Sequence, residues 1–111
     1  MNESFALTET TYYILLSLVR PQHGYGIMQT TEQLSGGRVH LAAGTLYGAL
    51  NVMCEKGWIL QLPVESGSRR KEYKLTQLGF SILQAELNRL ERLVRDGRSI
   101  LTETQDKEET T

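Results

Sequence analysis

The segment GTLYGALNVMCEKGWILQLPVESGSRRKEYKLT, residues 44–76, changes its hydrophobic period partway along the chain. In its first part, Leu46, Leu50 and Met53 recur at the spacing of one face of an α-helix. The glycine that follows Glu-Lys favours the left-handed conformation that commonly ends a helix. The segment therefore predicts a helix over residues 44–56 that packs on a core through one apolar face.

The second part of the segment has the alternating pattern of β-strands. Apolar residues occupy every second position on both sides of a Gly/Ser-rich turn at residues 65–69; they are Leu60, Leu62, Val64, Tyr73 and Leu75. Two such runs around a turn are typical of a β-hairpin. Pro63 lacks a backbone N–H, so its strand belongs at the edge of a sheet. We therefore expect a two-stranded hairpin directly after the helix.

Two further helices are predicted on the N-terminal side. Thr8 is suited to cap the first, in which residues 12–19 are apolar on nearly every side. Such a short helix needs neighbours all round, and one of them can be a second subunit. The second helix is predicted over residues 25–35, ended by Gly36-Gly37, with an inner face of Ile27, Met28, Thr31 and Leu34.

A long helix capped by Thr76 is predicted next. Its seam of positions spaced three and four residues apart consists of Phe80, Leu83, Leu87, Leu90, Val94, Gly97 and Leu101. This heptad spacing calls for a partner helix. Packing within one monomer is the alternative, but a small domain cannot cover so long a stripe. The predicted dimer interface is Tyr12, Leu15, Leu16, Phe80, Leu83, Leu87, Leu90, Val94 and Leu101.

The chain is thus expected to divide into three parts. Residues 1–76 form a winged helix-turn-helix domain, a mainly α (α+β) fold of three helices and a two-stranded wing. Residues 77–101 form a C-terminal dimerisation helix. Residues 102–111 contain no apolar side chain and are predicted to be a disordered polar tail.

The net charge of the whole chain disfavours a nucleic-acid partner, but the distribution of charge is compatible with one for the first part. The net charge of the chain is −1, but residues 1–76 carry seven Lys/Arg against six acidic residues, and the acid excess lies beyond them. The local field matters more for binding than the total charge. A helix can enter the major groove of double-stranded DNA, and Arg69, Arg70 and Lys71 lie where the hairpin could meet phosphates.

The sequence resembles the PadR-type transcriptional regulators of bacteria, in the shorter class with a single C-terminal dimerisation helix. The resemblance covers roughly residues 7–96 and rests on motifs in a fixed order: Leu7-Thr8, Tyr13-Ile14-Leu15, His23-Gly24-Tyr25-Gly26-Ile27, Leu34-Ser35-Gly36-Gly37, Gly44-Thr45-Leu46-Tyr47 with Leu50, Glu55-Lys56-Gly57, Arg69-Arg70-Lys71 with Tyr73, and Leu75-Thr76 with Gly79. What the resemblance implies is a dimeric repressor, often relieved by small aromatic or drug-like compounds.

The predicted DNA-binding residues are Tyr25, Gly44, Thr45, Tyr47, Gly48, Asn51, Arg69, Arg70, Lys71 and Lys74. Tyr47 and Tyr25 have packing as an alternative role, and Thr45 has helix initiation. The sequence departs from the family pattern in the third helix, where several basic residues are usual and Gly48, Asn51 and Val52 stand instead. Its entry reads Ala42-Ala43 where Ser-Pro is common. From these departures we predict that the wing makes a larger share of the phosphate contacts than is usual in the family.

An effector is expected in a crevice between the first and last helices of the dimer, because apolar crevices at interfaces are common ligand sites. Aromatic surface could come from Tyr12, Tyr13 and Trp58. The alternative function is a winged-helix module that binds protein rather than DNA. The depleted basic content of the third helix favours that alternative.

Other classes of protein are disfavoured. No catalytic or nucleotide-binding motif is present, so we expect neither an enzyme nor a cofactor. With one cysteine, Cys54, the chain can form neither an internal disulfide nor a Cys-rich metal site, which suits the cytoplasm. Cys54 is interpreted as a packing residue, with a redox role left open. The N-terminus has no positively charged leader, and the longest apolar run is too short to span a membrane.

Overall fold

The computed structural model describes residues 6–64 and 70–110, with side chains up to residue 105. The elements in order are α1 (Glu9–Ser17), β1 (Gln22–His23), α2 (Gly24–Leu34), α3 (Ala43–Glu55), β2 (Ile59–Gln61), β3 (Glu72–Leu75) and α4 (Gln77–Thr110). The predicted fold class, three helices followed by a wing and a long helix, is confirmed. Helices α2 and α3 each begin and end one residue earlier than predicted.

The first three helices meet in one core. Its fully buried members include Ile14, Leu15, Leu18, Ile27, Leu46 and Leu50. The predicted inward face of α3 is confirmed, since Met53 is buried together with Leu46 and Leu50. Burying these side chains removes apolar surface from water, at about 25 cal/mol per Å². This core fixes the relative positions of α2 and α3.

The predicted inner face of α2 is wrong at its end. Leu34 is 52% exposed, whereas Ser35 is buried. The inward face follows Ile27, Thr31 and Ser35, four residues apart, rather than ending at Leu34. The Ser35 hydroxyl accepts a hydrogen bond from the Val39 N–H at 2.9 Å. This bond keeps Ser35 inward and holds the loop that leads to α3.

The sheet has one strand more than predicted. Its order is β1-β3-β2, all antiparallel, with Gln22 opposite Tyr73 and His23 opposite Glu72. Strand β1 has only two residues, too few to show an alternating pattern in the sequence. Strand β1 connects the start of α2 to the wing. The strand order places β2 at an edge of the sheet, as predicted.

The predicted alternation in the first wing strand is wrong at Leu60. Ile59 is buried and Leu60 is 39% exposed, so the strand presents Ile59 rather than Leu60 to the core. Strand β2 ends at Gln61, before Pro63. Beyond it the Leu62 N–H still donates to the Glu72 carbonyl at 2.8 Å. The predicted turn at residues 65–69 lies outside the described residues.

The predicted helix ends are largely confirmed. The Thr8 hydroxyl accepts from the Thr11 N–H at 3.1 Å, and the Thr76 hydroxyl accepts from the Gly79 N–H at 3.1 Å. Gly36 and Gly37, after α2, both have positive φ. At the start of α3, where alanine replaces the usual serine, the N-cap residue Ala42 offers no side-chain hydrogen bond.

Helix α4 extends beyond the predicted boundary at residue 101. It contains 34 residues and continues to Thr110, through most of the segment predicted to be a disordered tail. With 1.5 Å per residue the helix is about 51 Å long. Residues 102–110 contain neither proline nor glycine, and an existing helix gains one hydrogen bond for each residue it adds. All described side chains from Glu91 onward are exposed.

Two residues predicted at a dimer interface lie instead in the core of the single chain. Leu15 has no exposed surface and Leu83 is 7% exposed. The first turns of α4 pack on α1, so Leu83 reaches the core from one helix and Leu15 from the other. The remaining predicted interface residues keep accessible surface.

A buried carboxylate joins α4 to the segment before α1. Glu86 is 3% exposed and accepts two hydrogen bonds from Arg89, at 2.6 and 2.8 Å. It also accepts from the Leu7 N–H at 2.9 Å. The Arg89 guanidinium, opposed by burial and assisted by the Leu7 N–H, holds the pKa of Glu86 below its usual range. Because a buried charge is costly unless it is paired, these bonds fix where α4 starts relative to α1.

Candidate nucleic-acid interface

A groove of about 530 Å³ lies where α2 begins, between α3 and the wing. Its lining residues come from three separate stretches of the chain; they are His23, Gly24, Tyr25, Tyr47, Arg70 and Lys71. Four of them, Tyr25, Tyr47, Arg70 and Lys71, are predicted DNA-binding residues. The fold therefore brings predicted contacts from the second helix, the third helix and the wing to one surface, although DNA contact itself stays a prediction.

The groove depends on close packing between two of the sequence motifs. A methyl group at Gly24 would lie against the Tyr47 hydroxyl and 2.9 Å from Tyr47 Cζ. Only a residue without a side chain leaves room for the tyrosine ring there. Tyr47 is nevertheless 40% exposed. Its ring packs on α2 while its edge stays accessible, so the two predicted roles of Tyr47 are compatible.

The start of α2 offers donors to an anion. The first N–H groups of a helix have no partner inside the helix, and the helix dipole makes this end positive. His23 is the N-cap, and its Nδ1 accepts from the Gly26 N–H at 3.2 Å. A neutral histidine that accepts through Nδ1 carries its proton on Nε2. The His23 ring therefore presents an N–H donor to the groove.

The wing arginine faces this same histidine nitrogen. Arg70 Nη1 lies 3.3 Å from His23 Nε2. In the tautomer set by the N-cap bond both atoms are donors, so neither can accept from the other. An oxyanion placed between them would accept from both, and the positive end of the α2 dipole would add to the attraction. Sequence reasoning assigned His23 a structural role and missed this; its only local signal is its place directly before Gly24.

The exposed face of α3 carries no basic side chain. Thr45, Gly48, Asn51 and Val52 are all exposed, as predicted, and Ala43–Glu55 contains no lysine or arginine. A Cβ atom at Gly48 would meet no atom within 4 Å; the same holds for Gly44. No side chain covers the backbone at Gly44 and Gly48, so a partner can approach α3 closely there.

The positive charge of the described domain is concentrated at the wing. Arg70 and Lys71 precede β3, and Lys74 is exposed on that strand opposite Leu60. Lys74 does not line the groove, and Arg69 lies outside the described residues. Among residues 6–64 and 70–105, neither Lys71 nor Lys74 takes part in an ion pair. By contrast, Arg38 is paired with Glu9 at 2.6 Å.

Other kinds of site find little support. Burial raises the pKa of the Cys54 thiol, which keeps it protonated and less reactive, in line with a packing role. Within the described part of the chain, no group of three or more His, Cys, Asp or Glu side chains could hold a metal ion. The helices described contain no stretch both long and apolar enough to cross a membrane.

An apolar strip runs along α4. Phe80, Leu87, Val94 and Leu101 recur every seven residues and are between 41% and 69% exposed. Near the start of the helix, Phe80 and Leu87 line a groove of about 180 Å³ with Tyr12 and Leu16 of α1. The crevice predicted between the first and last helices of a dimer would include this groove, and its role in effector binding stays a prediction. In the described part of the single chain, these positions of the predicted heptad seam stay exposed.

The chain is similar in sequence to known regulators. The model of the transcriptional regulator PadR-like family matches residues 13–85. An uncharacterized 37.1 kDa protein in transposon TN4556 of Streptomyces fradiae is 40% identical over 73 residues, which make up 66% of this chain and 20% of that protein. The chain thus spans about a fifth of the length of that relative.

Solved structures show the same architecture. A PadR family transcriptional regulator from Eggerthella lenta superposes with a TM-score of 0.64 at 26% identity, covering 85% of this chain and 81% of that one. Bacillus subtilis PadR in complex with operator DNA superposes with a TM-score of 0.57 at 25% identity, covering 68% and 45% of the two chains. Fold, motif order and family match agree, and the protein belongs to the PadR-like family of transcriptional regulators, not to a class of enzymes.

Proposed function

We propose that this chain is a sequence-specific DNA-binding regulator that acts in the cytoplasm as a homodimeric repressor and is released from its operator by a small-molecule effector. The observation that carries the proposal is the groove at the start of α2, where His23 and Arg70 present donors 3.3 Å apart. A phosphate oxygen can accept from both donors, and the DNA backbone carries a phosphate at each nucleotide.

Each part of the interface has a distinct task. Contacts to phosphates position a protein on the duplex, and contacts to base edges in the grooves read the sequence. The groove residues and the wing lysines Lys71 and Lys74 make the phosphate contacts. On α3, Thr45 and Asn51 make the base contacts, because a threonine or asparagine side chain can hydrogen-bond to base edges in the major groove. The bare backbone at Gly48 lets α3 approach the bases.

A second copy of the chain is the partner for the strip on α4. Four large apolar side chains exposed at heptad spacing are costly in water and match the seam of a coiled coil. Pairing of two such helices would place two winged domains about a dyad. Two half-sites separated by about one helical turn, or 34–36 Å, would match this symmetry.

Repression and release are the roles that the PadR-type resemblance implies. A protein fixed across two half-sites blocks other proteins from the same DNA. Release requires a ligand that binds the free and DNA-bound states with different affinity. The apolar groove between α1 and α4 shares Phe80 and Leu87 with the proposed dimer contact, so a ligand there could alter the relation of the two DNA-binding domains.

The test is fluorescence anisotropy of the full chain with a labelled duplex from its own upstream region, over a series of salt concentrations. A scrambled duplex of equal composition is the control. We expect preference for the upstream duplex by about a thousandfold or more and affinity that falls steeply with salt. Equal, weak binding to both duplexes would reject the proposal and favour the alternative, a winged-helix module that binds protein.

A further inference from the structure

Helix α4 is attached to the winged domain at its very start. The Thr76 hydroxyl, which caps the helix, also donates to the Gly57 carbonyl at 2.6 Å. One turn later, a Cβ atom at Gly79 would clash with the Trp58 carbonyl, so the helix lies directly on this backbone. Gly57 and Trp58 follow α3 in the chain. This first attachment therefore joins α4 to the segment at the end of α3.

A second attachment lies two helical turns further along α4. Glu86 is about 10 Å beyond Gly79 along the helix axis, and its carboxylate accepts from the Leu7 N–H at 2.9 Å. Leu7 directly precedes Thr8, the N-cap of α1. The Glu86 side chain is 3% exposed, and Arg89, one turn further on, donates to both of its oxygens. This second attachment therefore joins α4 to the segment that begins α1.

The two attachments together fix the direction of α4. A helix held only at its start can swing about that point, whereas a second contact with another element removes this freedom. Leu83 lies between the attachments and is buried in the core, but apolar burial is non-directional and allows a helix to tilt. The hydrogen bonds of Glu86, by contrast, have preferred distances and angles. Glu86 therefore supplies a directional contact that fixes the angle between α4 and α1.

The direction of α4 matters because the helix extends far beyond the winged domain. All described side chains from Glu91 onward are exposed, so the domain itself does not hold this part. Leu101, at the far end of the apolar strip, lies about 22 Å past Glu86 along the helix axis. A tilt of about 10° would move it by about 4 Å, slightly more than the rise of one base pair, about 3.4 Å. A small change of angle at Glu86 would thus alter the spacing of half-sites that a dimer can span.

We propose that Glu86 is a positioning residue whose bond to Leu7 fixes the angle between α4 and the winged domain, and thereby sets the half-site spacing that the regulator accepts. The second half of the proposal rests on the proposed function, since it requires a dimer that binds DNA. The first half concerns a single chain and does not. Glu86 lines neither the groove at the start of α2 nor the exposed strip of α4. Neither phosphate contact nor pairing of two strips therefore accounts for a buried carboxylate at this place.

The angle is measured in the full chain, without DNA, by pulsed electron paramagnetic resonance. Cys54→Ala removes the only native cysteine, and Gln33→Cys on α2 and Thr102→Cys on α4 then provide two exposed positions for spin labels. Dilution of labelled chains with unlabelled ones restricts the measurement to the distance within one chain. We expect one narrow distance distribution. Glu86→Ala should broaden it by several ångström, because the second attachment is lost.

Two further variants separate positioning from stability, with the fold checked by circular dichroism. Ile27→Val removes one methylene from the buried face of α2, so it lowers stability away from α4 and should keep the narrow distribution. Arg89→Ala removes two donors that orient the Glu86 carboxylate. It should broaden the distribution less than Glu86→Ala does, and it replaces that variant if Glu86→Ala fails to fold. Unchanged width in both variants of the second attachment, or equal broadening in Ile27→Val, would overturn the positioning role.

The second half is tested with duplexes in which one base pair is inserted or removed at the centre of the bound upstream sequence. We expect the wild type to lose about tenfold in affinity, the scale of one lost base contact. Glu86→Ala should show a smaller loss, because its two domains can readjust, and should bind a duplex with half of the sequence as the wild type does. Equal losses in both proteins would overturn this half. If neither protein bound DNA while Glu86→Ala still broadened the distance distribution, the proposed function would fail and the positioning role would stand.

Discussion

Gly24 at the start of α2 and Tyr47 on α3 are in direct contact, with no room for even a methyl group between them. The two residues belong to the two most recognisable motifs of the sequence, His23-Gly24-Tyr25-Gly26 and Gly44-Thr45-Leu46-Tyr47. Their packing places the Tyr47 ring at the rim of the groove that we propose as the phosphate site. The packing of Tyr47 therefore explains why the first motif has a glycine at position 24.

Gly24→Ala should move the Tyr47 ring and disturb the groove. We expect a loss of about 1–2 kcal/mol in the free energy of unfolding, the usual cost of overpacking, together with weaker DNA binding. Urea denaturation measures the first effect and anisotropy the second. Gly48→Ala is the stability control, since its methyl meets no atom within 4 Å and should stabilise the helix by up to about 1 kcal/mol. Equal stability of Gly24→Ala and wild type would contradict the packing argument.

Arg70→Ala should weaken binding to every duplex alike. A phosphate contact carries no sequence information, so the ratio of affinities for the upstream and scrambled duplexes should stay constant. The slope of log affinity against log salt should fall by about one, as expected for one lost phosphate contact. Arg92→Ala, on the exposed part of α4, should leave affinity and slope unchanged. If Arg70→Ala behaves like Arg92→Ala, Arg70 does not contact phosphate.

Val94→Asp should convert the proposed dimer to a monomer. Val94 is 52% exposed in the single chain, so the aspartate does not disturb the core. In a paired helix it would bury a charge without a partner. Analytical ultracentrifugation should therefore show a lower mass with unchanged helix content, whereas the exposed control Arg92→Asp should sediment like the wild type. A dimer that persists in Val94→Asp would rule out the strip on α4 as the interface.

Glu86→Gln should reduce stability at neutral pH by about 1.5–3 kcal/mol, the range for hydrogen bonds to a charged group. Because the folded state lowers the pKa of Glu86, the stabilisation is complete above the ordinary glutamate pKa and is lost as the pH falls through the lowered value. The difference between wild type and variant should therefore shrink in acid. Urea denaturation over a pH series measures it.

Glu91→Gln provides the matched control for that series. Glu91 lies on the same helix and is exposed, and exposed ion pairs contribute little to stability. Its stability should follow that of the wild type at every pH. If the difference in free energy of unfolding between Glu86→Gln and wild type stayed constant to the lowest pH of the series, the carboxylate charge would not be what stabilises the contact with Leu7.

Ala42→Ser should stabilise the protein. Ala42 is the N-cap of α3 and has no side-chain hydrogen bond there, while a serine hydroxyl can accept from an N–H of the first turn. The expected gain is about 1 kcal/mol, read as a higher midpoint of urea denaturation. Ala43→Ser, one residue inside the helix, lacks this geometry and should gain nothing. A gain in both variants, or in neither, would contradict the capping explanation.

Much of the fold follows from local patterns in the sequence. Helices α2 and α3 lie within one residue of their predicted ends, because periodicity and capping residues act over a few positions. Thr8 and Thr76 cap the helices that they were predicted to cap. The same local patterns singled out Tyr25, Tyr47, Arg70 and Lys71, which line one groove in the structure.

By itself, then, the sequence determined the order and type of the helices and of the wing strands, the helix caps and the residue types available for binding. Only the tertiary structure decided that Ser35 rather than Leu34 is inward after α2, and Ile59 rather than Leu60 in β2. It also decided the strand β1, the donor pair of His23 and Arg70, and the bond from Leu7 to Glu86. These features depend on groups that are distant in the chain and meet only when the helices pack, so no local spacing could reveal them.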